Sequence, residues 1–173
     1  MRGEELVFGP RKDDKPPTIK LSAEADLTSF SGSLSTKGMV DTVEVYGWDQ
    51  SKKAVIKGTC DVGKLKAHDG TVGGAQAKKA FGAAKVVIVD AFVSTVAEAE
   101  LVARGKLEEL SGNFVHASCT CFGRADLRAG VEVEIEGIGE RFGGVFDIQR
   151  SSHSYDAGNA SYRTNLSLRR NAT

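Results

Sequence analysis

The most regular alternation of apolar and polar positions lies near the C-terminus. Val131, Val133 and Ile135 alternate with Glu132, Glu134 and Glu136, which describes a strand with one dry face and one acidic face. Gly137-Ile138-Gly139 and Gly143-Gly144 bracket a short connection. Val145 to Arg150 then predicts a second strand, with Phe146 and Ile148 on one face. Tyr155-Asp156-Ala157-Gly158-Asn159 has turn chemistry. Tyr162 to Arg169 predicts a third strand, with Tyr162, Thr164, Leu166 and Leu168 together on one face. Three strands joined by short turns read as an antiparallel meander.

The same period recurs upstream. Leu6-Val7-Phe8, Thr18 to Leu21 and Ala25 to Ser31 predict short strands, with Arg11 to Pro17 a charged loop between the first two. Val40 to Trp48 and Lys53 to Thr59 flank the turn Asp49-Gln50-Ser51 and predict a hairpin. Trp48 reads as an anchor at a strand end. Asp61 to Ala84, rich in Gly, Lys and Ala, reads as a long surface insertion, with at most a helical turn over 76–81 and a solvated His68. Lys85 to Val93 is apolar on both faces, so the expectation is a strand that is central or covered on both sides. One stretch changes period. Val96, Ala99, Ala103, Leu107 and Leu110 step by three and four behind a Thr95/Glu98 capping box, and Ser111-Gly112 closes the helix. Phe114 to Phe122 returns to strand, and Gly123 to Ala129 is a loop.

The sum is mainly β: a small antiparallel β-barrel or sandwich with one flanking α-helix. Composition changes this little. Hydrophobic residues make up 40%, charged residues 27%, and the formal net charge is zero, so no global field points to nucleic acid or an anionic membrane. No apolar run approaches the roughly 20 residues of a membrane-spanning helix, and the N-terminus lacks a basic-then-apolar leader pattern, so a cytoplasmic start is expected. The expected organisation is a single domain over 1–173, with N-terminal strands and loop over 1–37 and the insertion over 61–84.

Candidate chemistry is sparse. Cys60, Cys119 and Cys121 are an odd number, which argues against a disulfide framework, and Cys119 and Cys121 share one strand face as small apolar fillers. Catalysis would need Cys119 or Cys121 to meet His116 or His153, with no orienting third group in sight. Gly73-Gly74 lacks the following Gly-Lys-Ser/Thr of a phosphate loop. No catalytic, cofactor or metal residues are therefore assigned, and no cofactor is expected. Glu132, Glu134 and Glu136 remain as a row of like charges: either a solvated face, or a pore lining or interface that meets a basic partner.

Several motifs in order carry a resemblance. Val43-Glu44-Val45-Tyr46-Gly47-Trp48-Asp49, the helix Thr95 to Leu110, and the ending from Gly130 to Arg170 with its Gly-x-Gly, Phe-Gly-Gly-x-Phe and Tyr-x-Thr together resemble the baseplate hub family of contractile tails. That family includes the late control gene D proteins and the hub part of the type VI secretion spike. The resemblance implies a fold like the tail tube protein and a non-enzymatic, ring-forming role. Its partners would be copies of itself as a trimer, the tail tube protein and the spike protein. Its location would be the bacterial cytoplasm during assembly, then the virion tail or injection-machine baseplate. Glu132, Glu134 and Glu136 would face a lumen or interface, and 61–84 would be a second interface. The chain is about half the usual length of that family. The alternative is a stand-alone β-barrel binding module for carbohydrate or peptide.

Overall fold

The computed structural model describes residues 18–68, 70–89 and 92–173. The expected strand at Leu6 to Phe8 and the loop at Arg11 to Pro17 lie outside the described residues. In chain order the elements are β1 (Ile19–Ser22), β2 (Leu27–Leu34), β3 (Thr42–Asp49), β4 (Ala54–Asp61), a 3-10 turn (Val62–Lys64), α1 (Gly73–Phe81), β5 (Lys85–Ile88), α2 (Val96–Ser111), β6 (Val115–Phe122), β7 (Glu132–Glu136), β8 (Gly144–Asp156) and β9 (Ser161–Arg170).

The strands form two sheets. The larger runs β1-β7-β8-β9-β6-β2 and the smaller β4-β3-β5. The mainly β architecture with a flanking helix is as the sequence implies. Local alternation does not reveal the mixed pairing: β1 runs parallel to β7, and β3 parallel to β5. Each sheet has its own core. Val133, Ile135, Phe146, Ile148, Leu166, Leu168, Cys119 and Cys121 are buried on the large sheet. On the small sheet, Val43, Val45, Ile56 and Cys60 are covered by Ala99, Ala103 and Leu107 of α2. The α2 capping box forms as read: Thr95 Oγ1 accepts from Glu98 N at 3.2 Å, and Glu98 Oε2 accepts from Thr95 N at 3.2 Å.

Three expectations change. The stretch 61–84 is not a loose insertion. It holds the 3-10 turn and α1, and Leu65, Val72 and Ala77 are buried. Its glycines serve close packing. A Cβ on Gly73 would lie 2.2 Å from the Phe114 ring, and one on Gly74 would lie 2.4 Å from the Val40 carbonyl oxygen. Second, β5 is an edge strand of the small sheet, and Val87 and Val89 are exposed. An apolar run on both faces fixes the burial it seeks, not the strand's position, and here one face finds no cover among the described residues. Third, β8 continues to Asp156. With β9 it forms a ribbon whose outer part, Ser151 to Asp156, is polar and solvent-facing, so the sequence shows no apolar stripe there.

Candidate functional site

Three surfaces carry side chains of functional interest. The first is the outer face of the small sheet. Period two turns Val43 and Val45 inward and Thr42, Glu44, Tyr46 and Trp48 outward. Glu44 is held by Lys57 of β4 at 3.3 Å, Lys85 of β5 at 3.5 Å and the Tyr46 hydroxyl at 3.1 Å. These bonds, that of Lys57 foremost, hold its carboxyl below the usual range. Farther along, the face turns apolar: Trp48 stands opposite Val55, and Val87, Val89 and Phe92 border the same shallow cleft. Trp48 is 55% exposed and Val89 65%, so the tryptophan expected as an anchor at a strand end is a surface group. Among the described residues, β5 has β3 as its one strand neighbour.

The second surface is the acidic row of β7. Parallel pairing sets Lys20 of β1 beside Glu134. Its ammonium reaches Glu134 at 3.1 Å and Glu136 at 2.9 Å. Both carboxylates raise the Lys20 pKa, Glu136 through the larger contribution. Glu134 and Glu136 thus share a cation from a strand that local pattern does not place beside them.

Glu132 belongs to a third group. Antiparallel register sets it directly opposite Asp147 of β8. Like charges in that position repel. His68, from the segment between the 3-10 turn and α1, comes over the pair. Its Nε2 lies 2.9 Å from Asp147 Oδ2 and its Nδ1 2.8 Å from Asn171 Oδ1. Asn171 Nδ2 donates to the Lys66 carbonyl at 2.9 Å, so its Oδ1 is the atom turned to His68, and the His68 backbone N–H donates to that same oxygen at 3.1 Å. The ring is about one-fifth exposed. Hydrogen bonding to Asp147 first, then to Asn171, raises its pKa against the opposing effect of burial; the Glu132 charge adds to the rise. His68 is therefore not a solvated loop residue. No periodicity in the sequence marks it, and Asn171 follows the last predicted strand, so neither was identifiable from pattern.

The cysteine–histidine pairs are not assembled. Cys119 and Cys121 face the core of the large sheet, while His116 is exposed on the other face of β6. His153 lies on the exposed part of β8, its Nδ1 3.0 Å from Thr164 Oγ1 and 3.1 Å from the Tyr162 hydroxyl. Burial pushes the Cys119 thiol up to about 12, which leaves no thiolate at neutral pH.

A family model described as the Alg8 N-terminal domain matches residues 3–156. The chain belongs to that family. The family's description names no activity, and it is not the hub family that the sequence resembles. No curated protein matches the chain. Among solved structures, the tail protein from Neisseria meningitidis MC58 aligns over 90% of this chain and 44% of its own length, at 13% identity and a TM-score of 0.60. The 43 kDa tail protein of prophage MuSo2 from Shewanella oneidensis aligns over 90% of this chain and 42% of its own, at 14% identity and a TM-score of 0.61. A chain in the virion of a native gene transfer agent particle aligns over 88% of this chain and 31% of its own, at 15% identity and a TM-score of 0.50. The chain thus shares the fold of these tail and virion proteins and spans less than half the length of each.

Proposed function

We propose that this chain is a structural component of a contractile tail or injection machine: a baseplate hub domain that joins the tail tube to the spike and lines the channel between them. The reading is carried by the fold it shares with two phage tail proteins over nine-tenths of its length. The exposed apolar face around Trp48, Val87 and Val89 supplies surface for a neighbouring subunit, and the short strand β5, whose outer side has no strand partner among the described residues, offers an edge for strand addition. Its partners on this reading are further copies of the chain, the tail tube protein and the spike protein, in the virion tail or baseplate. No catalytic role is assigned to it.

Light scattering of the purified chain over a range of concentrations tests the reading. A trimer, a hexamer, or a mass that rises with concentration is expected. A strict monomer that also fails to join a tube–spike assembly would overturn it. On the same reading, Glu134 and Glu136 face the lumen or a neighbouring subunit. The double variant Glu134→Gln/Glu136→Gln should then weaken ring formation without unfolding the domain, and normal rings would remove the acidic row from the interface. The cleft beside Tyr46, Trp48 and Phe92 favours one other reading, a carbohydrate- or peptide-binding module. That reading predicts a monomer whose binding to a glycan or peptide array is lost in Trp48→Ala.

A further inference from the structure

We infer that His68, Glu132 and Asp147 form a binding site for a divalent transition-metal ion. One ring nitrogen of His68 and one carboxylate oxygen each from Glu132 and Asp147 all lie within 4.8 Å of one another, and Nε2 is the nitrogen 2.9 Å from Asp147 Oδ2. The three come from separate elements: the segment before α1, β7 and β8. A first-row divalent metal bound by imidazole nitrogen and carboxylate oxygens sits about 2.0–2.2 Å from each, so three donors this close can meet on one ion after small side-chain rotations. All three side chains are partly buried, which limits competing water while leaving a path of entry.

Two features outside this donor set shape it for a cation. The first is the histidine's tautomer. Asn171 Oδ1 accepts from Nδ1 at 2.8 Å, and the Lys66 carbonyl fixes that amide's orientation at 2.9 Å. Nδ1 therefore carries a hydrogen, and Nε2, which donates to Asp147 Oδ2 at 2.9 Å, is the nitrogen that would exchange its proton for the ion. An outer hydrogen bond on one ring nitrogen, fixing the other as ligand, is the usual support of a metal-binding histidine. The second feature is the backbone register. It fixes Glu132 directly opposite Asp147, which brings two carboxylate donors side by side on neighbouring strands. Imidazole with two carboxylates suits zinc and its neighbours better than calcium or magnesium, which prefer all-oxygen shells. Three protein ligands leave a coordination position for water.

Titration of the whole chain with zinc chloride by calorimetry, with thermal melting in parallel, tests this. One saturable equivalent per chain and a raised Tm are expected. Glu132→Gln keeps the His68 hydrogen bonds to Asp147 and Asn171 and should still fold, yet it should lose most of the zinc-dependent rise in Tm. Asn171→Ala should weaken binding roughly 10–100-fold, as loss of an outer-shell partner does. Cobalt(II) reports the ligand type independently: visible d–d bands without a thiolate charge-transfer band are expected. No saturable binding by the wild-type chain, unaltered binding by Glu132→Gln, or a thiolate band that assigns the metal to the cysteines would each overturn the inference.

Discussion

Gly58 shows how closely α2 rests on the small sheet. It lies buried inside β4, and a Cβ built there would sit 2.4 Å from the Ala99 carbonyl carbon, 2.5 Å from Glu100 N and 2.6 Å from Ala99 Cβ. Carbon contacts are favourable at roughly 3.5–4.0 Å, so Gly58→Ala forces the helix back by about 1 Å. Two of the three clashing atoms are backbone, so no rotamer change relieves them. A retreat of that size forfeits a quarter to a half of each dispersion contact that Ala99, Ala103 and Leu107 make with Val43, Val45 and Ile56. Overpacking of this kind costs about 3 kcal/mol, and the reduced freedom of the unfolded chain returns up to about 1 kcal/mol. The net loss is about 2 kcal/mol, or roughly 4–8 °C in Tm for a domain of this size. Urea unfolding should be followed by circular dichroism and by Trp48 emission, which reports from β3 of the same sheet. The midpoint should fall with an unchanged slope. A loss below about 0.5 kcal/mol would refute the close approach of helix and strand.

Two further outcomes follow from the same structure. Gly105 is exposed within α2 and has open space where its Cβ would be, so Gly105→Ala should stabilise the chain by about 0.5–1 kcal/mol in the same urea assay. The buried Asp41 carboxylate accepts from Lys78 Nζ at 2.8 Å, Ala84 N at 2.6 Å and Thr42 Oγ1 at 3.1 Å, and the Lys78 contact leads in lowering its pKa. A lowered folded-state pKa means that the stabilisation is complete above the unfolded value, about 3.9, and is lost as pH falls through the folded one. Asp41→Asn should therefore cost about 2 kcal/mol at pH 7 and progressively less in melts taken below about pH 4. A cost independent of pH would place the contribution elsewhere.

What could be read in the sequence was local. The β3–β4 hairpin, β6, β7, β9 and the capped helix α2 each carry their period within a dozen or so residues, and each appears close to where the pattern places it. Pairing between remote strands has no such record. Nothing in Thr18 to Leu21 announces a parallel partner in β7, so the Lys20 bridge to Glu134 and Glu136 was invisible. The glycines of 61–84 misled for a physical reason. Glycine suits a loose loop and a tight contact equally well, and only the Phe114 ring against Gly73 shows which applies. The His68 cluster was hidden twice over. Its members lie far apart in sequence, and the Asn171 that orients the ring sits in a tail without periodicity. The exposed face of β5 was half legible: its apolar character was plain, while its place at a sheet edge depended on the order β4-β3-β5.

The path of the chain between the two sheets has one more consequence. It leaves the large sheet at Leu34 and re-enters at Val115, and these two residues are Cα partners in the β2–β6 ladder, with Ser35 N donating to the Phe114 carbonyl at 2.9 Å beside them. The small sheet and both helices therefore form an excursion closed at its base, like the head of a stem-loop. Zipping β2 to β6 from an open chain must overcome the closure entropy of a long loop, which grows only with the logarithm of its length. If the β3–β4 hairpin and α2 condense first, the two ends of the excursion are already drawn together and most of that barrier disappears. The base also fixes where change is tolerated. Insertions in the head leave the stem register intact, whereas a one-residue slip between Leu34 and Val115 would turn Phe30 and Leu34 of the edge strand β2 away from the core, because β9 holds β6 in place on its other side.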